Sequence, residues 1–96
     1  MVQVKFECDD KKNEANFKKH GVYLDQAISA FDDPMRQEYY DEKHSSADEN
    51  RLLLVGFAGN RPLLISFTEP APETIRLISA RRAKKHEQEE LYYGNR

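Results

Sequence analysis

From Arg76 to His86 the chain carries Arg76, Arg81, Arg82, Lys84 and Lys85 and no Asp or Glu, a block of +5 in a protein whose formal net charge is −2. Guanidinium is planar and permanently charged, and its fork of donors matches phosphate oxygens. Several such groups where a strand passes into a helix can hold an RNA backbone or the charge of a phosphorane-like transition state, and the helix N-terminus adds partial positive charge. A solvated helix start laced with surface ion pairs has the same composition.

A second polar group is Lys12, Asn16, Lys19 and His20. At 100° per residue these four fall within an arc of about 100° on one helix face. Histidine exchanges a proton near neutral pH and lysine stabilises negative charge. The set therefore contains a base for a 2′-hydroxyl, cations for a phosphate and an acid for a leaving oxygen. A solvated face, or a histidine capping the helix end, is the plainer reading. Glu87 is expected on the inward side of a late helix, where an acid requires a basic partner. It either orients an arginine of the preceding strand or accepts a proton itself, and orientation is the more ordinary role.

Other chemistries lose ground. The histidines, His20, His44 and His86, lie far apart with no H-x-x-x-H or cysteine pair beside them, so no metal site is expected. No G-x-x-x-x-G-K-[ST], G-x-G-x-x-G or G-x-S-x-G occurs, so no cofactor is expected. The single Cys8 permits no internal disulfide, and the acids beside it would raise rather than lower its pKa.

The elements that must position these groups follow from periodicity. Val2 to Phe6 alternates as a strand does. Asp9 and Asp10 offer an N-cap to a helix over about Lys11–His20, which Gly21 stops. Leu24, Ala27, Ile28 and Phe31 mark the core face of a second helix, ended by Asp32-Asp33-Pro34. Tyr39-Tyr40 suggests a short strand within 35–41, and 41–50 has loop chemistry. Arg51–Ala58 and Pro62–Thr68 are strong strands joined by a turn at Gly59-Asn60-Arg61. Two prolines in Glu69–Glu73 exclude a regular element there. Thr74–Ala80 is a last strand, and Arg82–Tyr93 a helix with a thin apolar side. The fold class is α+β, with residues 1–96 as one domain: an N-terminal strand and two helices, an antiparallel sheet, and a C-terminal helix.

At 39% hydrophobic and 33% charged the chain is polar but not of disordered composition. Charge is divided, since residues 32–50 hold seven acids and two bases against the late basic block. The acidic stretch reads as a soluble loop or a docking surface. The sequence contains no apolar run of membrane-spanning length, and its start is unlike a signal peptide, so a cytoplasmic protein without membrane contact is expected.

Taken in order, Phe6-Glu7-Cys8-Asp9, Lys12-Asn13, Asn16, Lys19-His20-Gly21-Val22, Ala27, Phe31-Asp32-Asp33-Pro34, Glu49-Asn50-Arg51, Gly56, Arg76–Ala83, Glu87 and Tyr92 resemble the BrnT toxins over about residues 4–93. The resemblance implies a RelE-like fold and a metal-independent endoribonuclease that blocks translation by cutting RNA. It also implies neutralisation by a BrnA-like antitoxin of ribbon-helix-helix type, with operator DNA bound only through the complex. The family's polar signature falls on Lys12, Asn16, Lys19, His20, Arg51, Arg76, Arg81, Arg82 and Glu87. Of these, Lys12, His20, Arg51, Arg81 and Glu87 are expected to be catalytic. Asn16, Lys19, Arg76 and Arg82, with Lys84 and Lys85, are expected to bind RNA. Cys8 stands where the family commonly has Trp, and Tyr23 where a small capping residue is usual, which bears on local packing. The competing reading is a non-catalytic RNA- or protein-binding module.

Overall fold

The computed structural model describes residues 4–94. Strand β1 (Lys5–Glu7) leads into helix α1 (Asp10–His20), whose N-terminus is capped by the Asp9 carboxylate accepting from Lys12 N–H at 3.2 Å. Gly21 closes α1 in the left-handed conformation, φ 73°, as the sequence predicts. The second helix is shorter than its periodicity implies: α2 covers Leu24–Ala27 and tightens into a 3₁₀ segment over Ile28–Asp32. Its core face is the expected one, since Leu24, Ala27 and Ala30 are fully buried, with Ile28 and Phe31 packed beside them. Gly56 lies under this segment, where an added Cβ would come within 3.0 Å of the Ala30 carbonyl oxygen.

Four further strands, β2 (Gln37–Tyr40), β3 (Arg51–Ala58), β4 (Arg61–Ala71) and β5 (Thr74–Arg82), complete a five-stranded sheet in the order β1-β5-β4-β3-β2. The neighbours from β2 to β5 are antiparallel, whereas β1 runs parallel to β5, so the sheet is mixed. The positions expected to start the first strand, Val2 and Gln3, lie outside the described residues. The β3–β4 turn has Gly59 at φ 64°. Strand β4 continues through Pro70, against the expectation that prolines exclude a strand. By then the β3–β4 pairing has ended at Thr68, and a register shift between Thr68 and Ala71 interrupts the β4–β5 ladder at the proline.

Leu54, Leu63, Ile65, Phe67, Leu77 and Ala80 line the sheet face that α1 and α2 cover. The opposite face buries Val55 and Ala83 beneath the chain's last segment. There the sequence places a helix from Arg82. Instead β5 runs to Arg82, α3 spans only Lys85–Glu87, and Gln88–Tyr93 is a π turn. The wider turn carries Tyr92 inward: it is buried against Phe57, and its hydroxyl donates to Asp33 Oδ2 at 2.7 Å. The segment is therefore anchored by an aromatic ring and a carboxylate in addition to the buried Ala83 and the partly buried Leu91.

Because β1 pairs only with Thr74–Arg76, the upper half of β5 has no strand on that side. Asn16 of α1 fills the place. Its Nδ2 donates to the carbonyls of Ala80, at 2.8 Å, and Val22, at 2.7 Å, and its Oδ1 accepts from Ala80 N–H at 3.2 Å. A side-chain amide thus pairs with Ala80 as a neighbouring peptide would, in a position that is almost wholly buried. Asn16→Ala leaves those backbone groups unpaired, and a buried orphan costs about 1–3 kcal/mol. The urea midpoint should fall by the equivalent of about 3 kcal/mol with an unchanged m-value. A variant as stable as the parent would show that α1 is held to β5 by apolar packing alone.

Candidate active site

On the sheet face away from α1, register places side chains in rows. Arg51, Thr68 and Arg76 face one another across β3, β4 and β5. Leu53, Ser66 and Ser79 form the next row, and Val55, Leu64 and Arg81 the third. A β-bulge makes this possible: Ser66 pairs with Ser79 while the adjacent Phe67 pairs with Leu77, so Ile78 is extra and the following side chains are re-aimed. Without it, Arg76 and Arg81 could not share a face five positions apart. The C-terminal segment covers the far end of this face, where the Tyr39 hydroxyl donates to the Leu91 carbonyl, and leaves the rows with Arg51 and Ser79 open.

Each of these three arginines meets an acid. Arg51 Nε donates to Glu49 at 3.0 Å and Arg76 Nε to Glu7 at 3.1 Å, both between partly exposed side chains. Such pairs are worth at most about 1 kcal/mol and exchange partners readily. Arg81 differs: Nη1 and Nη2 donate to both oxygens of Glu87 at 2.8 and 2.7 Å, and Glu87 also accepts from Lys84 N–H at 2.7 Å. The arginine bond and then the backbone N–H hold the Glu87 carboxyl down at about 2, and Glu87 in turn raises Arg81. Glu87 is thus placed to orient an arginine, and the forked end of Arg81 is already occupied.

Helix α1 brings its cations to the open edge of β5. A depression of about 250 Å³ is lined by Lys12, Asn16, Lys19, His20, Ile78 and Ser79. A second, of about 220 Å³, lies over Arg51, Leu53, Ser66, Ile78 and Ser79, with Asp41 and His44 from the 41–50 loop at its rim. The two share Ile78 and Ser79 and so adjoin at the bulge, and together they are called the groove. A wider depression of about 610 Å³ at the β1–α1 corner takes in Arg76 and shares Lys12 with the first.

The structure therefore places Lys12, Lys19 and His20 on one of the two adjoining depressions and Arg51 on the other, with Arg76 beside Lys12 at the corner and Arg81 one row beyond Ser79. Asn16, expected among the RNA-binding residues, is spent on the β5 backbone and has no donor to spare. Arg82 alternates to the opposite face from Arg81, paired with Leu63, and Lys84 and Lys85 are exposed at the start of α3, apart from the groove. Sequence reasoning passed over Ser66, Ser79 and His44, and also Asn13, whose Oδ1 accepts from Leu24 N–H and so fixes the start of α2. The bulge has no signal in composition. The two departures noted in the sequence are accommodated: Tyr23 stacks on Phe17 at 4.2 Å, and Cys8 is half-buried, its thiol raised by burial first and by Asp25 second. Among the described residues no group of three or more His, Cys, Asp or Glu is placed to hold a metal ion, and no helix is long and apolar enough to cross a membrane.

Residues 8–87 match the family described as the ribonuclease toxin BrnT of type II toxin–antitoxin systems. The chain belongs to the BrnT family. The crystal structure of the Brucella abortus ribonuclease toxin BrnT has the same fold, with a TM-score of 0.63 over 88% of this chain and 100% of that one, at 22% identity. No curated protein matches the chain. Membership of a BrnT toxin family implies an RNA substrate and an antitoxin partner, and the small α+β domain expected from the sequence is that of the Brucella toxin.

Because the folded carboxyl of Glu87 sits at about 2 against an ordinary value of 4.5, its contribution is present above pH 4.5 and is lost as pH falls towards 2. Glu87→Gln should lower the melting temperature at pH 7 and flatten the fall in stability between those two values. Parallel acid profiles for parent and variant would show that Glu87 does not hold Arg81.

Proposed function

We propose that this chain is a metal-independent endoribonuclease that cuts RNA and so stops translation in the cytoplasm, and that a BrnA-like ribbon-helix-helix antitoxin neutralises it. The observation that carries this reading is the groove over Ile78 and Ser79. Lys12, Lys19 and His20 of α1 stand on one side of it and Arg51 on the other, with the Ser66 and Ser79 hydroxyls nearby, and Arg76 stands beside Lys12 at the β1–α1 corner. In this reading Arg51 and Arg76 exchange their weakly held carboxylates for the phosphate and stabilise its developing charge. His20 or Lys12 serves proton transfer, Lys19 holds the backbone, and Arg81, gripped by Glu87, fixes the field from the next row. A net charge of −2 on the toxin fits an arrangement in which the antitoxin makes the operator DNA contacts.

Removing one charge-stabilising donor costs roughly 10²–10³ in rate in comparable sites. Arg51→Ala is a cleaner test than Arg81→Ala, which would strand the Glu87 carboxylate. Purified parent should cut single-stranded RNA in EDTA, leaving cyclic-phosphate ends, and Arg51→Ala should lose about two orders of magnitude while keeping its melting temperature. In cells, growth arrest should disappear with the same variant and on co-expression of the antitoxin. Intact RNA in a salt-sensitive complex with the parent would instead identify a binding module without catalysis.

A further inference from the structure

His44 sits in the 41–50 loop at the Arg51 end of the groove, and its Nδ1 meets Asp41 Oδ2 at 2.9 Å. A carboxylate only accepts, so Nδ1 carries the proton and Nε2 is left as the exchanging nitrogen. The loop that presents it is well fixed. His44 N–H donates to Asp41 Oδ1 at 3.3 Å, and Ser45 Oγ donates to the Asp41 carbonyl at 2.7 Å and accepts from Arg51 N–H at 2.9 Å. Asp41 N–H in turn donates to the Arg51 carbonyl at 2.8 Å. The dyad is thereby tied to the backbone of the arginine beside it. His20 lines the adjoining depression, and Ile78 and Ser79 are common to both.

Transfer at a phosphodiester by a neighbouring hydroxyl is an in-line displacement, so the group that takes the 2′-proton and the group that protonates the leaving oxygen must approach from opposite sides. A lysine can screen the phosphate but is a poor proton donor at neutral pH. We propose that His44, oriented by Asp41, is the general acid of RNA cleavage, opposite His20 as base. The 2′-oxygen loses its proton to His20 and bonds to phosphorus. The P–O5′ bond breaks, and the 5′-oxygen takes the proton from His44 Nε2, giving a 2′,3′-cyclic phosphate and a 5′-hydroxyl. Asp41 is a positioning residue in this scheme. The inference rests on the ribonuclease reading above.

The test compares ordinary RNA with the same oligonucleotide carrying a bridging sulfur at the 5′ position of the scissile link, whose thiolate leaves without protonation. His44→Ala should lower kcat on ordinary RNA by roughly 10²-fold or more, the usual share of a general acid, with KM within about threefold of the parent. On the sulfur-bridged substrate it should match the parent. His44→Gln, which can still hydrogen-bond Asp41 and keep the loop, should behave alike. Asp41→Asn should lower kcat on ordinary RNA to a lesser extent. Equal losses on both substrates, or a rise in KM with kcat unchanged, would overturn the acid role. Failure of the parent to cut either substrate would instead remove the ribonuclease reading, and this inference with it.

Discussion

The pairing of the Asn16 amide with the backbone of Ala80 is the constraint on which the groove depends. Helix α1 has few apolar residues to offer a core, and Phe17 is committed to Tyr23 at the surface. What fixes the helix against the sheet is a buried polar bond to the half of β5 that β1 leaves uncovered. The same side chain reaches the Val22 carbonyl and so sets the exit of the helix as well as its approach. Lys12, Lys19 and His20 lie on the turns around Asn16, and their distance from the bulge is therefore set by its bonds. A buried amide with all its donors used is costly to disturb, which gives a surface site the rigidity of the interior.

Charge is organised by how tightly each cation is held rather than by how many there are. Both oxygens of Glu87 accept from Arg81 and one of them also accepts from the Lys84 N–H, making that pair part of the framework. Glu49 and Glu7 hold Arg51 and Arg76 through single exposed contacts that a phosphate can displace. A groove built this way carries little net field until substrate arrives, which suits a toxin of near-neutral charge that must also pack against another protein.

Much of this was legible in the sequence where local rules act alone. Gly21 as a helix stop, the buried face of Leu24 and Ala27, the Gly59 turn and the need of Glu87 for a basic partner all depend on neighbours within a few residues. The helical wheel also put Lys12, Asn16, Lys19 and His20 on one face, but it could not distinguish a residue that looks out from one that looks into a sheet edge. That distinction required knowing that β1 is too short to cover β5. How the basic block divides between the two sheet faces was not legible for a related reason. Strand alternation and one extra residue at Ile78 send Arg76 and Arg81 to one face and Arg82 to the other, and register is set by pairing across the sheet. His44 was hidden because a loop has no period. Tyr92 was hidden because a π turn breaks the one assumed.

The ribonuclease reading rests on the convergence of α1 and the β3–β5 face at a single phosphate over Ile78 and Ser79. It is tested most directly by amide chemical shifts on titration with a short RNA made uncleavable by a 2′-deoxy sugar at the scissile position. Lys19, His20, Arg51, Ile78 and Ser79 should shift together with one saturation curve. Shifts confined to Lys84, Lys85 and their neighbours on α3, with the groove unmoved, would contradict it.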